Sequence, residues 1–276
     1  HRSSYGLGEV IKAALDNHTE HLVISLGGIG SFDGGAGMLQ ALGARFYDDE
    51  AQIVDMRKGA DLIKYIRRID LSGVHPQLTK VNIQLMSDFS SRLYGKKSEI
   101  MQTYESLDLS QNEAAEIDNL IWYFSELFKN ELKIAMGPIE RGGAGGGIAA
   151  VLNSLYQAEI LTSHELVNQI THLENLIQQA DLIIFGEGLK EEDQILETTT
   201  IRIAELTQQY NKPAIAICAT NDKFDLFESL NVTAMFNTFI DMPDSYTDFK
   251  MGIQIRHYTV QALKLLKTQI NLPLSS

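Results

Sequence analysis

The sequence predicts an α/β fold with a largely parallel sheet, because short apolar runs alternate with longer amphipathic segments through most of its length. Three glycine-rich stretches lie beside these runs, at residues 27–37, 142–147 and 186–188. Ligands of open α/β sheets bind beyond the carboxyl ends of the strands, where glycine lets backbone amides approach an anion. We therefore expect a small-molecule site on these stretches, the alternative being three tight turns.

The elements are predicted from the period of the apolar residues. Helices are expected at residues 5–16, 38–42, 111–132, 148–155, 201–209 and 249–269. Strands are expected at residues 22–26, 81–86, 181–185, 214–218 and 235–240. Ser4 is the predicted N-cap of the first helix. The aromatic and aliphatic stripe of helix 111–132 is interpreted as a packing face rather than a ligand site.

The composition narrows the classes of partner. The net charge of −13 repels nucleic acid and anionic membranes, so neither is an expected partner. It also repels ATP and small carboxylates, so an anionic ligand needs local positive potential from amides, basic residues or a metal. Cys218 is the single cysteine; it falls in a predicted strand and is interpreted as a core residue rather than a nucleophile.

Other sequence features bear on location. A single cysteine excludes a disulfide within the chain, which is typical of the cytoplasm. No apolar stretch approaches the ~20 residues that a membrane span needs, and the N-terminus lacks a signal-peptide pattern. The chain begins with His1-Arg2 and runs directly into a helical pattern, so we expect a fragment or a trimmed chain.

Acidic residues accompany the glycines and strand ends: Asp33, Asp88 and Glu187. A carboxylate in such a place suits Mg²⁺ or a substrate hydroxyl, and equally an Asx-type turn or a helix cap. None of the glycine stretches matches a known nucleotide signature, because the G-x-x-x-x-G-K-[ST] and G-x-G-x-x-G patterns are both lacking.

The order of several motifs is more specific than any one of them. The chain resembles bacterial glycerate kinases of the two-domain type, N-terminally shortened and divergent in several motifs. The start Ser4-Tyr5-Gly6-Leu7-Gly8-Glu9 is similar to their T-S-Y-G-x-G-E, and residues 33–39 to D-G-G-x-G-M. Residues 68–76 are similar to R-I-D-L-S-G-L-D-P, residues 142–147 to G-A-x-G-G-L-G, and residues 185–188 to T-G-E-G.

The resemblance implies a phosphotransferase of organic acid metabolism with two α/β domains, one of residues 1–42 and 181–276, the other of residues 43–180, and an active-site cleft between them. It implies ATP-dependent phosphorylation of D-glycerate, with Mg²⁺. Asp33, Asp88 and Glu187 are the implied catalytic residues; which one is the base stays open. The implied ligand-binding residues are Gly27, Gly28, Ser31, Gly34, Gly35, Gly142, Gly143, Gly145, Gly146, Gly186, Gly188 and Lys190.

The chain also departs from the family. Its residues 87–93 keep the acid of C-D-V-x-N-P-L and lose the Asn-Pro, and residues 101–108 lack the lysine-bearing F-G-P-Q-K-G. Thr198 lies at the position of a further family lysine. The P-D-S-F-K and G-G-E-G-T motifs of the family are missing from this sequence. Lys190 or Arg141 is a candidate for replacing the lost positive charge.

Three interpretations therefore remain open. The first is an active glycerate kinase or a relative with a similar hydroxy acid as its substrate. The second is a catalytically silent relative that binds a metabolite or a partner. The third is an unrelated α/β protein. The metal ligands and the oligomeric state, a homodimer included, are left open by the sequence.

Overall fold

The computed structural model describes residues 2–187, 199–219, 224–238 and 248–269. Its α-helices are α1 (Tyr5–Asp16), α2 (Ala36–Ala41), α3 (Glu99–Thr103), α4 (Gln111–Leu132), α5 (Ile148–Tyr156), α6 (Ser163–Thr171), α7 (Leu173–Gln179), α8 (Thr199–Gln209), α9 (Phe224–Ser229) and α10 (Asp248–Gln269). Its strands are β1 (His21–Ser25), β2 (Arg45–Tyr47), β3 (Arg68–Asp70), β4 (Asn82–Met86), β5 (Glu159–Leu161), β6 (Ile183–Glu187), β7 (Ala214–Cys218) and β8 (Ala234–Asn237).

The chain forms two compact units, residues 1–163 and residues 164–276. In the first, β1, β4 and β5 form a parallel sheet in the order β1-β4-β5. His21 lies opposite Asn82, and Gln84 lies opposite Glu159. Strands β2 and β3 form a separate antiparallel pair. Parallel strands need long crossover connections, which helices provide in this unit as in other α/β folds.

The core of the first unit contains a cluster of aromatic side chains. Phe46, Phe124 and Phe128 have no exposed surface. The Phe124 ring lies edge-on to Phe46 at a centroid distance of 5.8 Å and to Phe128 at 4.9 Å. Phe124 and Phe128 belong to α4, which begins with a capping box between Ser110 and Glu113. The prediction that the α4 stripe is a packing face is therefore confirmed.

The second unit contains the parallel sheet β6-β7-β8. Every residue of the central strand β7 is buried, as expected for a strand covered on both faces. Phe185 and Phe227 pack edge to face beside it, with centroids 5.4 Å apart. Cys218 ends β7 with 2% of its surface exposed, so its prediction as a core residue is confirmed.

The division into units differs from the expected domains. The expected domains group residues 1–42 with residues 181–276, whereas β1 pairs in register with β4 inside the first unit. The physical reason is the ladder of backbone hydrogen bonds along β1 and β4, which fixes residues 21–25 in the first sheet. Domain boundaries at residues 42 and 180 stay a proposal.

Among the described residues, every helix is too short or too polar to span a bilayer.

Candidate functional site

The parallel sheet of the first unit places three strand ends at one edge. Gly27 and Gly28 follow β1, and Asp88 follows β4. The backbone N–H of Ser163, which follows β5, donates to Asp88 Oδ1 at 2.6 Å. Asp88 is half-buried and ties the ends of β4 and β5 together. This is the edge at which open α/β sheets bind ligands.

The first two glycines border open space at this edge. Gly27 and Gly28 are exposed, and a Cβ added to either would meet no atom within 4 Å. Backbone amides in such a position can be approached by a ligand from solvent.

Asp33 anchors the rest of the first glycine loop. Its carboxylate has no exposed surface. Oδ2 accepts hydrogen bonds from the Ser4 amide at 2.8 Å, the Ser4 hydroxyl at 2.9 Å and the Gly37 amide at 3.1 Å. Oδ1 accepts from the Gly35 amide at 3.0 Å. Burial raises the pKa of Asp33, and the hydrogen bonds from Ser4, Gly37 and Gly35 oppose that rise.

The role of Ser4 differs from the expected one. Ser4 occupies the N-cap position of α1, but its side chain does not cap that helix. Its hydroxyl instead donates to Asp33 and accepts the amide of Met38 at 2.8 Å. The serine oxygen accepts the Met38 amide in place of an amide of α1, while its O–H points to the buried Asp33 carboxyl. Ser4 thus joins the start of α1 to the first turn of α2.

The first and second glycine loops converge and interlock. Gly34 donates its backbone N–H to the Gly146 carbonyl oxygen at 2.9 Å. A Cβ on Gly147 would lie 2.7 Å from the Gly34 Cα, and one on Gly146 would overlap with the Ser31 carbonyl oxygen. Glycine is therefore required by close backbone contact at these positions.

Most of the predicted ligand-binding glycines are consequently buried. The residues packed in this way are Gly34, Gly35, Gly142, Gly143, Gly145 and Gly146. These glycines lie together with Ser31, near the strand ends of the first unit. They pack against one another and do not surround an open cavity.

Glu99 is a residue of this site that the sequence analysis missed. It is the first residue of α3 and is half-buried. Its Oε2 accepts the backbone N–H of Gly146 at 3.1 Å, and the Gly145 amide lies near the carboxylate. Burial raises the pKa of Glu99 to about 7, although both amides act in the opposite direction. A carboxyl that titrates near neutral pH is a common feature of functional sites.

Two buried hydroxyls accompany the glycine loops. Ser31 Oγ and Ser91 Oγ have no hydrogen-bond partner among the described residues, and these serines are 6% and 2% exposed. A Cβ on Gly143 would come within 2.6 Å of Ser91 Oγ, so this hydroxyl faces the second loop. Buried polar groups are normally hydrogen-bonded, so these hydroxyls are candidates for contact with a ligand or an ordered water.

A small cavity lies beside the first loop. It has a volume of about 170 Å³, and Arg2, Gly30, Phe32 and Leu107 are among the residues that line it. Arg2 Nη1 lies so close to Gly30 that a Cβ there would overlap with it. The charged groups on its wall are the exposed guanidinium of Arg2 and the carboxylate of Asp61, and the other lining residues are apolar or glycine.

The third glycine stretch belongs to the second unit. Gly186 is exposed and lies opposite Ile217, and Glu187 is the last residue of β6. Gly188 and Lys190 lie outside the described residues.

Mg²⁺ needs carboxylate ligands, and the phosphates of ATP need backbone amides that a ligand can reach. Among the described residues, no three His, Cys, Asp or Glu side chains form a metal-binding group. Mg²⁺ in phosphotransferases often uses one or two carboxylates, and its other ligands are water and substrate phosphates. Asp88 has one oxygen bonded to the Ser163 amide, and its second oxygen fits as a single ligand. The exposed Gly27 and Gly28 fit contact with phosphate oxygens.

Comparison with known proteins shows similarity over most of the chain. The model of the glycerate kinase family matches residues 1–254. A glycerate kinase of Halalkalibacterium halodurans is 32% identical over 218 residues, which are 79% of this chain and 57% of that protein. A glycerate 2-kinase of Escherichia coli K12 is 29% identical over 236 residues, 85% of this chain and 61% of that protein. The chain thus spans less than two thirds of the length of these relatives.

A solved structure is similar in fold. It is a crystal structure of a protein assigned as glycerate kinase 2 from Salmonella typhimurium LT2, with a TM-score of 0.80 and 28% sequence identity. The match covers 98% of this chain and 70% of that one. Together with the strand-end glycine loops, these similarities establish that the chain belongs to the glycerate kinase family.

Proposed function

We propose that this protein is a glycerate kinase that transfers the terminal phosphoryl group of ATP to a hydroxyl of D-glycerate or a similar hydroxy acid. The observation that carries the proposal is the arrangement at one sheet edge of the first unit. Exposed glycines after β1, the Asp88 carboxylate after β4 and the interlocked second loop all lie there. The family membership makes the same reaction the natural expectation.

Phosphoryl transfer depends mainly on positioning and on neutralising charge. When bound, ATP would supply the phosphoryl group, and Mg²⁺ would neutralise its negative charge. The Gly27 and Gly28 amides would contact anionic oxygens, and the free oxygen of Asp88 would hold the metal or accept the proton of the acceptor hydroxyl.

The proposed role of Asp33 changes with its surroundings. It has no exposed surface, and both of its oxygens are hydrogen-bonded. We therefore propose that Asp33 is a positioning residue that holds the first loop, and that it does not contact the substrate. Ser31, Gly186, Gly188 and Lys190 remain proposed ligand-binding residues, and Glu187 remains a proposed catalytic residue.

A coupled assay of ADP release with D-glycerate on the full-length protein tests this proposal. We expect turnover that requires D-glycerate, ATP and Mg²⁺. We expect Asp88→Asn to lower kcat at least ~100-fold, since general acid–base groups typically contribute that much. Asp49→Asn is the matched control, because Asp49 is an exposed carboxylate. Absence of turnover in the unmodified protein across hydroxy acids would refute the kinase function.

A catalytically silent, metabolite-binding relative is the second candidate. The loss of the lysine-bearing segment, with residues 101–108 in its place, favours it. Binding of ADP or D-glycerate in calorimetry without any turnover would support this candidate over the first. For either function the expected partner is a small molecule and not nucleic acid or a membrane, and the proposed compartment is the cytoplasm.

A further inference from the structure

The second glycine loop carries a negative group supplied by the protein itself. Glu99 Oε2 lies 3.1 Å from the Gly146 amide nitrogen, and the Gly145 amide is near enough to the carboxyl to lower its pKa. Both glycines have a positive φ of 64°, and Gly147, with φ of 102°, is the N-cap of α5. Successive amides in this type of backbone form a concave site for an anion.

The same amides cannot serve Glu99 and a ligand anion together. Each backbone N–H makes one strong hydrogen bond, and an ionised carboxylate repels a second anion in a half-buried place. The unpartnered hydroxyl of Ser91, 2% exposed and facing Gly143, is a further donor at this loop. In the folded protein the Gly146 amide is thus taken by a side chain of the protein and is not open to a ligand.

We propose that Glu99 is a specificity-determining residue: its carboxylate occupies the Gly145 and Gly146 amides and, while ionised, excludes the anionic groups of a ligand from the second glycine loop. The contact of Glu99 with Gly146 is the same whatever the ligand is. Only the identity of the ligand, ATP or a hydroxy acid, rests on the proposed function.

The charged groups around Glu99 permit a test by pH. Lys96 and Lys97 precede it on the chain and are exposed, and Asp118 of α4 accepts the Gly95 amide. Arg141 flanks the second loop. The pKa of Glu99 is shifted by burial and by the two amides, and no charged side chain of the described residues contributes to that shift. Protonation of Glu99 itself is therefore expected to govern anion access near pH 7.

The experiment uses sulfate as the probe, because its charge is constant between pH 6 and pH 8. Sulfate is titrated into the ¹⁵N-labelled protein, and the amide signals of Gly145 and Gly146 are followed by NMR. If only the neutral form of Glu99 admits the anion, a pKa of about 7 makes binding roughly tenfold tighter at pH 6 than at pH 8. Glu99→Ala is expected to bind sulfate about tenfold more tightly than the unmodified protein at pH 8, and with little dependence on pH.

Glu20→Ala is the matched control for net charge, since Glu20 is an exposed carboxylate. It should bind sulfate like the unmodified protein. Glu99→Gln keeps the size of the side chain, removes the charge and replaces Glu99→Ala if that variant does not fold. Equal sulfate affinity in all variants at pH 8, or no response of the Gly145 and Gly146 amides in any of them, would overturn the inference. Sulfate binding needs no turnover. If the protein shows the expected pH dependence of sulfate binding but no ADP release, only the kinase function is refuted.

Discussion

Gly34 donates its backbone N–H to the carbonyl oxygen of Gly146 at 2.9 Å and thereby joins the first glycine loop to the second. The two loops come from distant parts of the sequence, and each leads into a helix. Their contact fixes residues 34 and 146 relative to each other within the fold of the first unit.

Replacement of Gly146 by alanine tests this contact. Gly146 and Gly28 both have positive φ, of 64° and 73°, so alanine at either site costs about 1–2 kcal/mol of backbone strain. At Gly146 the new Cβ also overlaps with the Ser31 carbonyl oxygen, whereas at Gly28 it meets open space. We expect Gly146→Ala to lower the free energy of unfolding by a further ~1–3 kcal/mol in urea denaturation. Equal losses in the two variants would contradict the interlocking of the loops.

The carboxylate of Asp33 is expected to be a major source of stability in the first unit. Asp33→Ala leaves the buried amides of Ser4, Gly35 and Gly37 without their acceptor. Each unsatisfied buried donor costs about 1–3 kcal/mol, so a total loss of at least ~3 kcal/mol is expected in chemical denaturation. Asp49→Ala, at an exposed site, should change stability by less than ~0.5 kcal/mol. If Asp33→Ala also changed the free energy of unfolding by less than ~0.5 kcal/mol, Asp33 would not be a positioning residue.

The stability of the protein should respond to pH through Glu99. Its pKa is raised from 4.5 to about 7 on folding, so the folded state binds the proton more tightly than the unfolded state. The contribution of Glu99 to the free energy of unfolding is fully present below pH ~4.5. It is lost as the pH rises through ~7, and the total loss is about 3 kcal/mol. We expect Glu99→Gln to gain in stability relative to the unmodified protein between pH 5 and pH 8, measured as the difference in urea midpoint. A difference that is constant with pH would show that Glu99 has an ordinary pKa.

The aromatic cluster of α4 offers a contrast between two neighbouring positions. Phe124 is fully buried, whereas Trp122 is 48% exposed. We expect Phe124→Ala to lower the free energy of unfolding by about 3–5 kcal/mol and Trp122→Ala by about 1 kcal/mol or less. Guanidinium unfolding followed by circular dichroism measures both. Comparable losses would mean that the helix is not packed through the Phe124 face.

Long periodic elements could be predicted from the sequence because many residues contribute to each. Helix α4 spans the predicted residues 111–132, and β7 spans the predicted residues 214–218. Strands β2, β3 and β5 have three residues each, too few to show a period, and were not predicted.

The candidate site was predictable in part. Glycines at strand ends and Asp88 follow local patterns, so their place at the sheet edge could be expected. The contact of Glu99 with Gly146 spans 47 residues and leaves no local pattern. The pattern around Asp33 fits a ligand site and a buried anchor equally well, and its burial, which only the tertiary structure shows, decides between them.

The anchoring of the first loop by Asp33 has a further consequence for binding. Ordering a flexible segment around a ligand costs conformational entropy, which weakens affinity. The bonds from Ser4, Gly35 and Gly37 to Asp33 already hold this segment in a single shape. The entropy cost of ordering residues 33–37 is therefore met when the protein folds and is not charged against the binding of a ligand.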